Sequence, residues 1–228
     1  MASRLRSVLG KLVSDNQSAF IPGRNILDGV LMANEVMDLT KREKRSCMVL
    51  KVDFEKAFDC VNWNFLRFIL KKICFGERWM KWMEGCVFSS SMSVIINAAL
   101  MRKEKEMGDY QGFKINEAED VSLLQFADDT LIVVDGSSSN LWCVKSILRG
   151  FEMMSGLKIN FHKSKLYGIN VGEWLLNAAS DFLSYNIDSL PFKFLRVKIG
   201  DSPRKILMRR ELLDSLRKRL ATWKGRHL

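Results

Sequence analysis

Two apolar, β-favouring runs, Val121-Ser-Leu-Leu-Gln-Phe-Ala127 and Thr130-Leu-Ile-Val-Val134, are separated by only two residues, Asp128 and Asp129. Strands joined by so short a polar link close into a β-hairpin, which puts both carboxylates at its tip. Like charges held that close repel unless water or a cation lies between them. The plainer reading is a polar hairpin turn, since aspartate favours turns for its own backbone chemistry.

A second apolar run, Met48-Val-Leu-Lys-Val-Asp-Phe54, reads as a strand buried in a sheet, with Asp53 near its carboxyl end. If this strand neighbours the hairpin, Asp53 converges with Asp128 and Asp129; otherwise Asp53 is a helix-entry residue. Around these strands the pattern is helical. Pro22 and Gly23 set a turn before a helix from about Ile26 to Thr40. Asn62 can cap a helix whose Phe65, Leu66, Ile69, Leu70 and Ile73 recur at helical spacing. An amphipathic helix near Glu77 to Phe88 and a strand near Ser93 to Asn97 follow. From Ser139 to Met154, the positions Leu141, Val144, Ile147, Leu148 and Phe151 make one helix face, which Gly156 is placed to end. Beyond lie a strand near Leu157 to Gly168, a helix near Glu173 to Leu183, an extended Leu190 to Leu195 segment and a basic helix near Lys205 to Trp223. This order predicts an α+β fold with helices packed on an antiparallel sheet.

Composition narrows the chemistry. Lys and Arg outnumber Asp and Glu 36 to 26, a formal charge of +10 that favours polyanionic partners, nucleic acid first. The 5 cysteines are scattered without a C-x-x-C pair, and only 2 histidines are present, so neither a disulfide framework nor a zinc cage is indicated. A reducing compartment, nuclear or cytoplasmic, is expected. No apolar run approaches the roughly 18 residues that would suggest a membrane span.

Four segments in order, Asn16-Gln-Ser-Ala-Phe-Ile-Pro-Gly-Arg-Asn-Ile-Leu-Asp28, Val52-Asp-Phe-Glu-Lys-Ala-Phe-Asp59, Leu124-Gln-Phe-Ala-Asp-Asp-Thr130 and Ser155-Gly-Leu-Lys-Ile-Asn-Phe-His-Lys-Ser164, resemble the reverse transcriptase of non-LTR (LINE-type) retrotransposons, the plant ones above all. The similarity runs from Arg4 to Leu228. It implies a polymerase palm-like antiparallel sheet packed with helices: partial fingers over 1–45, palm over 46–200, and the start of a connection to a missing or incomplete thumb over 201–228. It also implies an RNA template, a DNA primer and deoxynucleoside triphosphates as partners. Two magnesium ions, with manganese as an alternative, would be held by Asp53, Asp128 and Asp129, with Asp128 favoured for direct coordination. Three hard oxygen donors suit such ions, which take few carboxylates and complete their shells with water and phosphate. By the same resemblance, Phe58 matches the aromatic beneath the incoming sugar, Gln17 and Arg24 fall in a motif meeting template or triphosphate, and Lys158 and Lys163 fall near the nucleotide.

The chain departs from that family in two places. The expected Arg-Gln-Gly-Asp-Pro-Leu-Ser-Pro segment and the first part of its helix are missing: Asn97-Ala-Ala-Leu100 runs straight into Met101-Arg-Lys-Glu-Lys-Glu106, as if tens of residues were excised near 100/101. Arg196 stands where the family shows a turn glycine, and arginine enters positive-φ backbone less easily. An absent or very weak polymerase activity is therefore expected of this chain. The other classes that fit are a noncatalytic basic module bound to nucleic acid through phosphates, and a host-recruited structural or interaction protein whose aspartates only cap turns.

Overall fold

The structure is a computed structural model that describes residues 8, 10, 12–13, 16–55, 62–72, 74–86, 110, 112–115 and 120–201. The strand expected near Ser93 to Asn97, the Met101 to Glu106 junction and the basic helix near Lys205 to Trp223 lie outside these residues.

Helix α1 spans Ile26–Glu43, entered through a capping box in which Asn25 accepts a backbone hydrogen bond and Asp28 answers to the Asn25 N–H. It runs a few residues past the expected end because Lys41 and Arg42 in the last turn suit the negative end of the helix dipole, and it stops at Lys44, whose φ is 54°. Strand β1, Cys47–Val52, follows. β2 is Phe54–Glu55, α2 is Trp63–Lys72 and α3 is Glu77–Cys86. The Asn62 side chain accepts from the Asn64 and Phe65 amides, capping α2 as its sequence suggests. Leu66, Leu70, Met80 and Met83 close the contact between α2 and α3.

The second half contains β3 (Phe113–Lys114), β4 (Asp120–Val121), β5 (Leu123–Phe126), β6 (Asp129–Asp135), α4 (Ser138–Ser155), β7 (Lys158–Ile159), β8 (Lys165–Ile169), α5 (Glu173–Leu183), β9 (Asn186–Ile187), β10 (Phe192–Phe194) and β11 (Val197–Ile199). Five strands form the main sheet in the order β5-β6-β1-β8-β9. β5, β6, β1 and β8 pair antiparallel, and β9 joins β8 in parallel. The class is α+β.

β1 occupies the centre and both its faces are covered, which is why it reads as a continuous apolar run rather than an alternating one. Met48, Leu50 and Val52, with Ile132, Val134 and Leu166, pack against Leu141, Val144, Ile147 and Leu148 of α4 and Ala179 and Leu183 of α5. On the other side Cys47 and Val49, with Leu131, Val133, Tyr167 and Ile169, meet Val30, Ala33, Val36 and Met37 of α1 and Phe192, Phe194 and Ile199 of the β10–β11 hairpin. α4 ends at Gly156, whose φ is 76°. α5 lies close against β8: a Cβ on Gly168 would sit 2.9 Å from Leu176 Cδ1, so only glycine fits there without displacing that side chain.

Three strand readings are modified. The run expected as one strand over Val121 to Ala127 is two, β4 paired with β3 and β5 at the edge of the main sheet. The single strand expected over Leu157 to Gly168 is two strands, β7 and β8, because Asn160 turns the chain: its carbonyl accepts from the Lys163 and Ser164 amides and its side chain accepts from the Lys163 N–H. β7 consequently leaves the main sheet and pairs with β2. The extended Leu190 to Leu195 segment is the first arm of a hairpin, closed by Leu195 and Arg196 at φ 52° and 68°. Positive φ at both central residues is the geometry that matches strand twist in two-residue hairpins.

Candidate active site

β5 and β6 form a hairpin, but its turn lies one residue earlier than the expected Asp128-Asp129 tip, because Asp129 is already paired in β6. Phe126 pairs with Asp129, leaving Ala127 and Asp128 as the two-residue turn, with Ala127 at φ 56°. Asp128 is therefore at the exposed tip and Asp129 is the half-buried first residue of β6. The neighbour of β6 is β1. Their register pairs Val52 with Thr130, and continued one step beyond the last pair it sets Asp53, directly after β1, beside Asp129.

Residues opposite each other in an antiparallel pair point to the same face. Asp53 continues the alternation of Val49 and Lys51, and Asp129 that of Val133 and Leu131, so both carboxylates belong to the α1 side of the sheet, past the end of its apolar packing. Lys51, two residues before Asp53, shares that face. The electrostatics agree with this grouping: burial raises the Asp129 carboxyl above its ordinary range, Lys51 opposes the shift, and the charges of Asp128 and Asp53 add to it. Lys51 is legible in principle, since strand period alone sets it on the face of Asp53, although the apolar run around it marks it only as part of a buried strand.

The donor set suits a hard divalent cation in kind: three carboxylates on adjoining strands. Among the described residues, no three acidic, histidine or cysteine side chains are gathered tightly enough to hold an ion as they stand.

The backbone around the aspartates is held by two segments distant in sequence. The Asp53 amide donates to Ser164 Oγ at 3.0 Å, and its carbonyl accepts from the Asn160 N–H at 2.8 Å. Ser164 is fully buried. Neither Asn160 nor Ser164 stands out in the sequence, because a backbone amide and a hydroxyl that bond a backbone group over a hundred residues away leave no local signal. Lys158 and Lys163 belong to the same segment; both are exposed, Lys158 on β7 opposite Glu55 and Lys163 in the turn before Ser164.

The other supporting segment contains Gln17 and Arg24. Gln17 is fully buried, and its Oε1 accepts from the Ala19 amide at 2.8 Å and the Ala127 amide at 3.2 Å. Arg24, half-buried, donates to the backbone carbonyls of Gln17 at 2.6 Å, Val13 at 3.1 Å and Gly10 at 3.4 Å. Nearby, the Phe20 ring is 85% exposed yet packs 6.2 Å from that of Phe126, the cross-strand neighbour of Asp129. Phe58 lies outside the described residues. The described candidates, Asp53, Asp128, Asp129, Gln17, Arg24, Lys158 and Lys163, thus sit on or beside the elements meeting at one end of the central strands.

Two comparisons bear on this arrangement. A stretch of 97 residues, 42% of the chain, is 33% identical to the Transposon TX1 uncharacterized 149 kDa protein of Xenopus laevis, and the match spans only 7% of that protein. The sequence profile of the reverse transcriptase (RNA-dependent DNA polymerase) family matches residues 1–199, which takes in all four motifs and both aspartate-bearing strands. Both matches support the resemblance to retrotransposon reverse transcriptases, and by the extent of the second the chain belongs to the reverse transcriptase (RNA-dependent DNA polymerase) family.

Proposed function

We propose that this chain is the reverse transcriptase part of a LINE-type element, in which Asp53, Asp128 and Asp129 are the carboxylates of a two-metal nucleotidyl transfer site. The observation that carries the reading is that Asp53 and Asp129 directly follow and precede the paired residues Val52 and Thr130 of β1 and β6, close enough for the Asp53 charge to bear on Asp129, with Asp128 in the adjoining turn. Partners of matching chemistry are an RNA template, a DNA primer and deoxynucleoside triphosphates. In this reading residues 1–45 belong to the fingers, 46–200 to the palm and 201–228 to the connection beyond.

Magnesium ions held by Asp53, Asp128 and Asp129 would supply the positive charge that activates a primer hydroxyl and neutralises a triphosphate and its leaving group. The protein's own part is to hold three carboxylates where those charges develop. Asp53 and Asp129 come from strands locked by β1–β6 pairing, so their positions are set before any ligand arrives. Asp128, exposed on the turn next to Asp129, would supply the third carboxylate. Phe58 would lie against the sugar, and Lys158 and Lys163 would meet the nucleotide's phosphates.

The sequence passing directly from Leu100 to Met101 lacks the segment that forms the floor beneath template and nucleotide in the family, which supports weak or absent extension by this chain. Two measurements test the reading. Binding of Mn2+ followed by electron paramagnetic resonance is expected to weaken roughly tenfold or more in Asp53→Asn and in Asp129→Asn; affinity unchanged in both would overturn the metal site. Primer extension on an RNA template is expected to give trace product or none, and robust extension lost in Asp128→Ala would keep the site and overturn the inactivity.

A further inference from the structure

We propose that Gln17 is a positioning residue that holds the Ala127–Asp128 turn in the conformation that presents the aspartate pair. The proposal rests on the aspartate reading above for its purpose, and on the geometry of the 16–19 segment for its mechanism.

The turn is costly to hold. Ala127 has φ 56°, left-handed backbone that an L-residue other than glycine, asparagine or aspartate adopts at a penalty. A hairpin turn also exposes its amides to water, which competes for their hydrogen bonds. Gln17 offsets both costs, because the Oε1 of its fully buried side chain accepts the part-buried Ala127 N–H from the protein side of the turn. A hydrogen bond in that setting is stronger than its solvent-exposed counterpart.

The carboxamide is itself fixed from three directions. The same Oε1 accepts the Ala19 N–H, which locks the side chain to its own loop. The backbone on either side pairs with β5: the Ser18 amide donates to the Gln125 carbonyl at 3.0 Å and the Gln125 amide to the Asn16 carbonyl at 2.9 Å, a parallel bridge between Gln17 and Gln125. Arg24 then holds the Gln17 carbonyl at 2.6 Å. The segment acts as a short extra strand along the free edge of β5, reaching past it to the turn.

A second carboxamide reports the same local economy. Gln17 Nε2 and Gln125 Oε1 are both buried without a hydrogen-bond partner among the described residues, and they are a donor and an acceptor on bridged residues. Leaving two buried polar groups unpaired is unfavourable. An aliphatic residue at 17 would avoid the lone amide, but it would forfeit the acceptor for Ala127. The retained cost fits a side chain whose oxygen serves both the Ala19 and the Ala127 amides and so ties the turn to the 16–19 segment.

The test uses Gln17→Met, which keeps similar volume without an acceptor, and Gln17→Glu, which keeps the acceptor. Val30→Ala, a core truncation in α1, serves as a control for general destabilisation. Amide hydrogen exchange at Ala127, relative to Ile132 in the centre of β6, is expected to accelerate about tenfold in Gln17→Met, the loss of one hydrogen bond, and to stay slow in Gln17→Glu and Val30→Ala. Mn2+ affinity is expected to fall in Gln17→Met more than in Val30→Ala at equal loss of thermal stability. Ala127 exchange at the wild-type ratio in Gln17→Met overturns the brace, as does an affinity loss no larger than that of Val30→Ala. If instead Mn2+ binding is indifferent to Asp129→Asn in wild-type protein, the metal reading fails while the exchange ratio still decides whether Gln17 holds the turn.

Discussion

Asp129 carries a charge in a place that resists it. Burial is the main cause of its raised carboxyl pKa, the Asp128 and Asp53 charges add to it, and Lys51 works against them. A carboxyl whose folded pKa exceeds its unfolded value binds a proton more readily when folded. Its contribution to stability is thus present below the unfolded carboxylate pKa and is lost as pH rises through the folded value. Asp129→Asn, which cannot ionise, is expected to be more stable than wild type at neutral pH in a chelating buffer, with the gap closing as pH falls into the carboxylate range. Thermal melts across pH measure it, and a gap independent of pH would mean Asp129 is not held against its charge. Ser164 makes the complementary case: its hydroxyl is the acceptor for the Asp53 amide. Ser164→Ala is expected to cost about 1–3 kcal/mol, the penalty for stranding a partly buried donor, and chemical denaturation reads it directly. Ser164→Thr, which keeps the hydroxyl, should lose less if the added methyl is accommodated.

At the scale of elements, legibility followed the length of the pattern. The runs behind β1, the β5–β6 hairpin, α2 and α4 each carry several apolar positions at one period, and Asn62 and Gly156 mark the start of α2 and the end of α4 by local chemistry, so these features could be read directly. The pairing of β2 with β7 could not, because two residues have no period, and what makes them strands is Asn160 and Ser164 binding the backbone of Asp53. The site divides the same way: the three aspartates stand out as acidic residues at the ends of apolar runs, whereas the contact of Gln17 with Ala127 exists only once the fold is made. Arg196 shows a local rule being obeyed at a cost. The β10–β11 turn places it at φ 68°, the region glycine enters freely. Arg196→Gly is expected to stabilise the chain by about 1 kcal/mol, the left-handed penalty less the extra entropy glycine loses on folding. The denaturation midpoint should rise with the slope unchanged; a fall would show that the arginine side chain contributes more than its backbone costs.

At the scale of the whole molecule, the excess of 36 basic over 26 acidic side chains predicts attraction to any nucleic acid, whatever the fate of catalysis. Charge alone would give binding that weakens steeply with salt and ignores both sequence and divalent cations. For a footprint of about 5 phosphates, the logarithm of the binding constant should fall with the logarithm of salt at a slope of about −4. A working carboxylate site adds a different dependence. Three aspartates facing a primer terminus repel its phosphates until a cation screens them, so affinity for a primer–template hybrid should rise on adding Mg2+ at constant ionic strength, and Asp129→Asn should raise affinity in chelator and abolish the rise. A basic remnant without that site would show the salt slope alone, the same in wild type and in Asp129→Asn. Fluorescence anisotropy with a labelled hybrid distinguishes the two without requiring turnover. Electrostatic coupling between the carboxylates and a bound primer end needs only the sheet and its hairpin, so the Mg2+ dependence is expected whether or not the chain extends a primer.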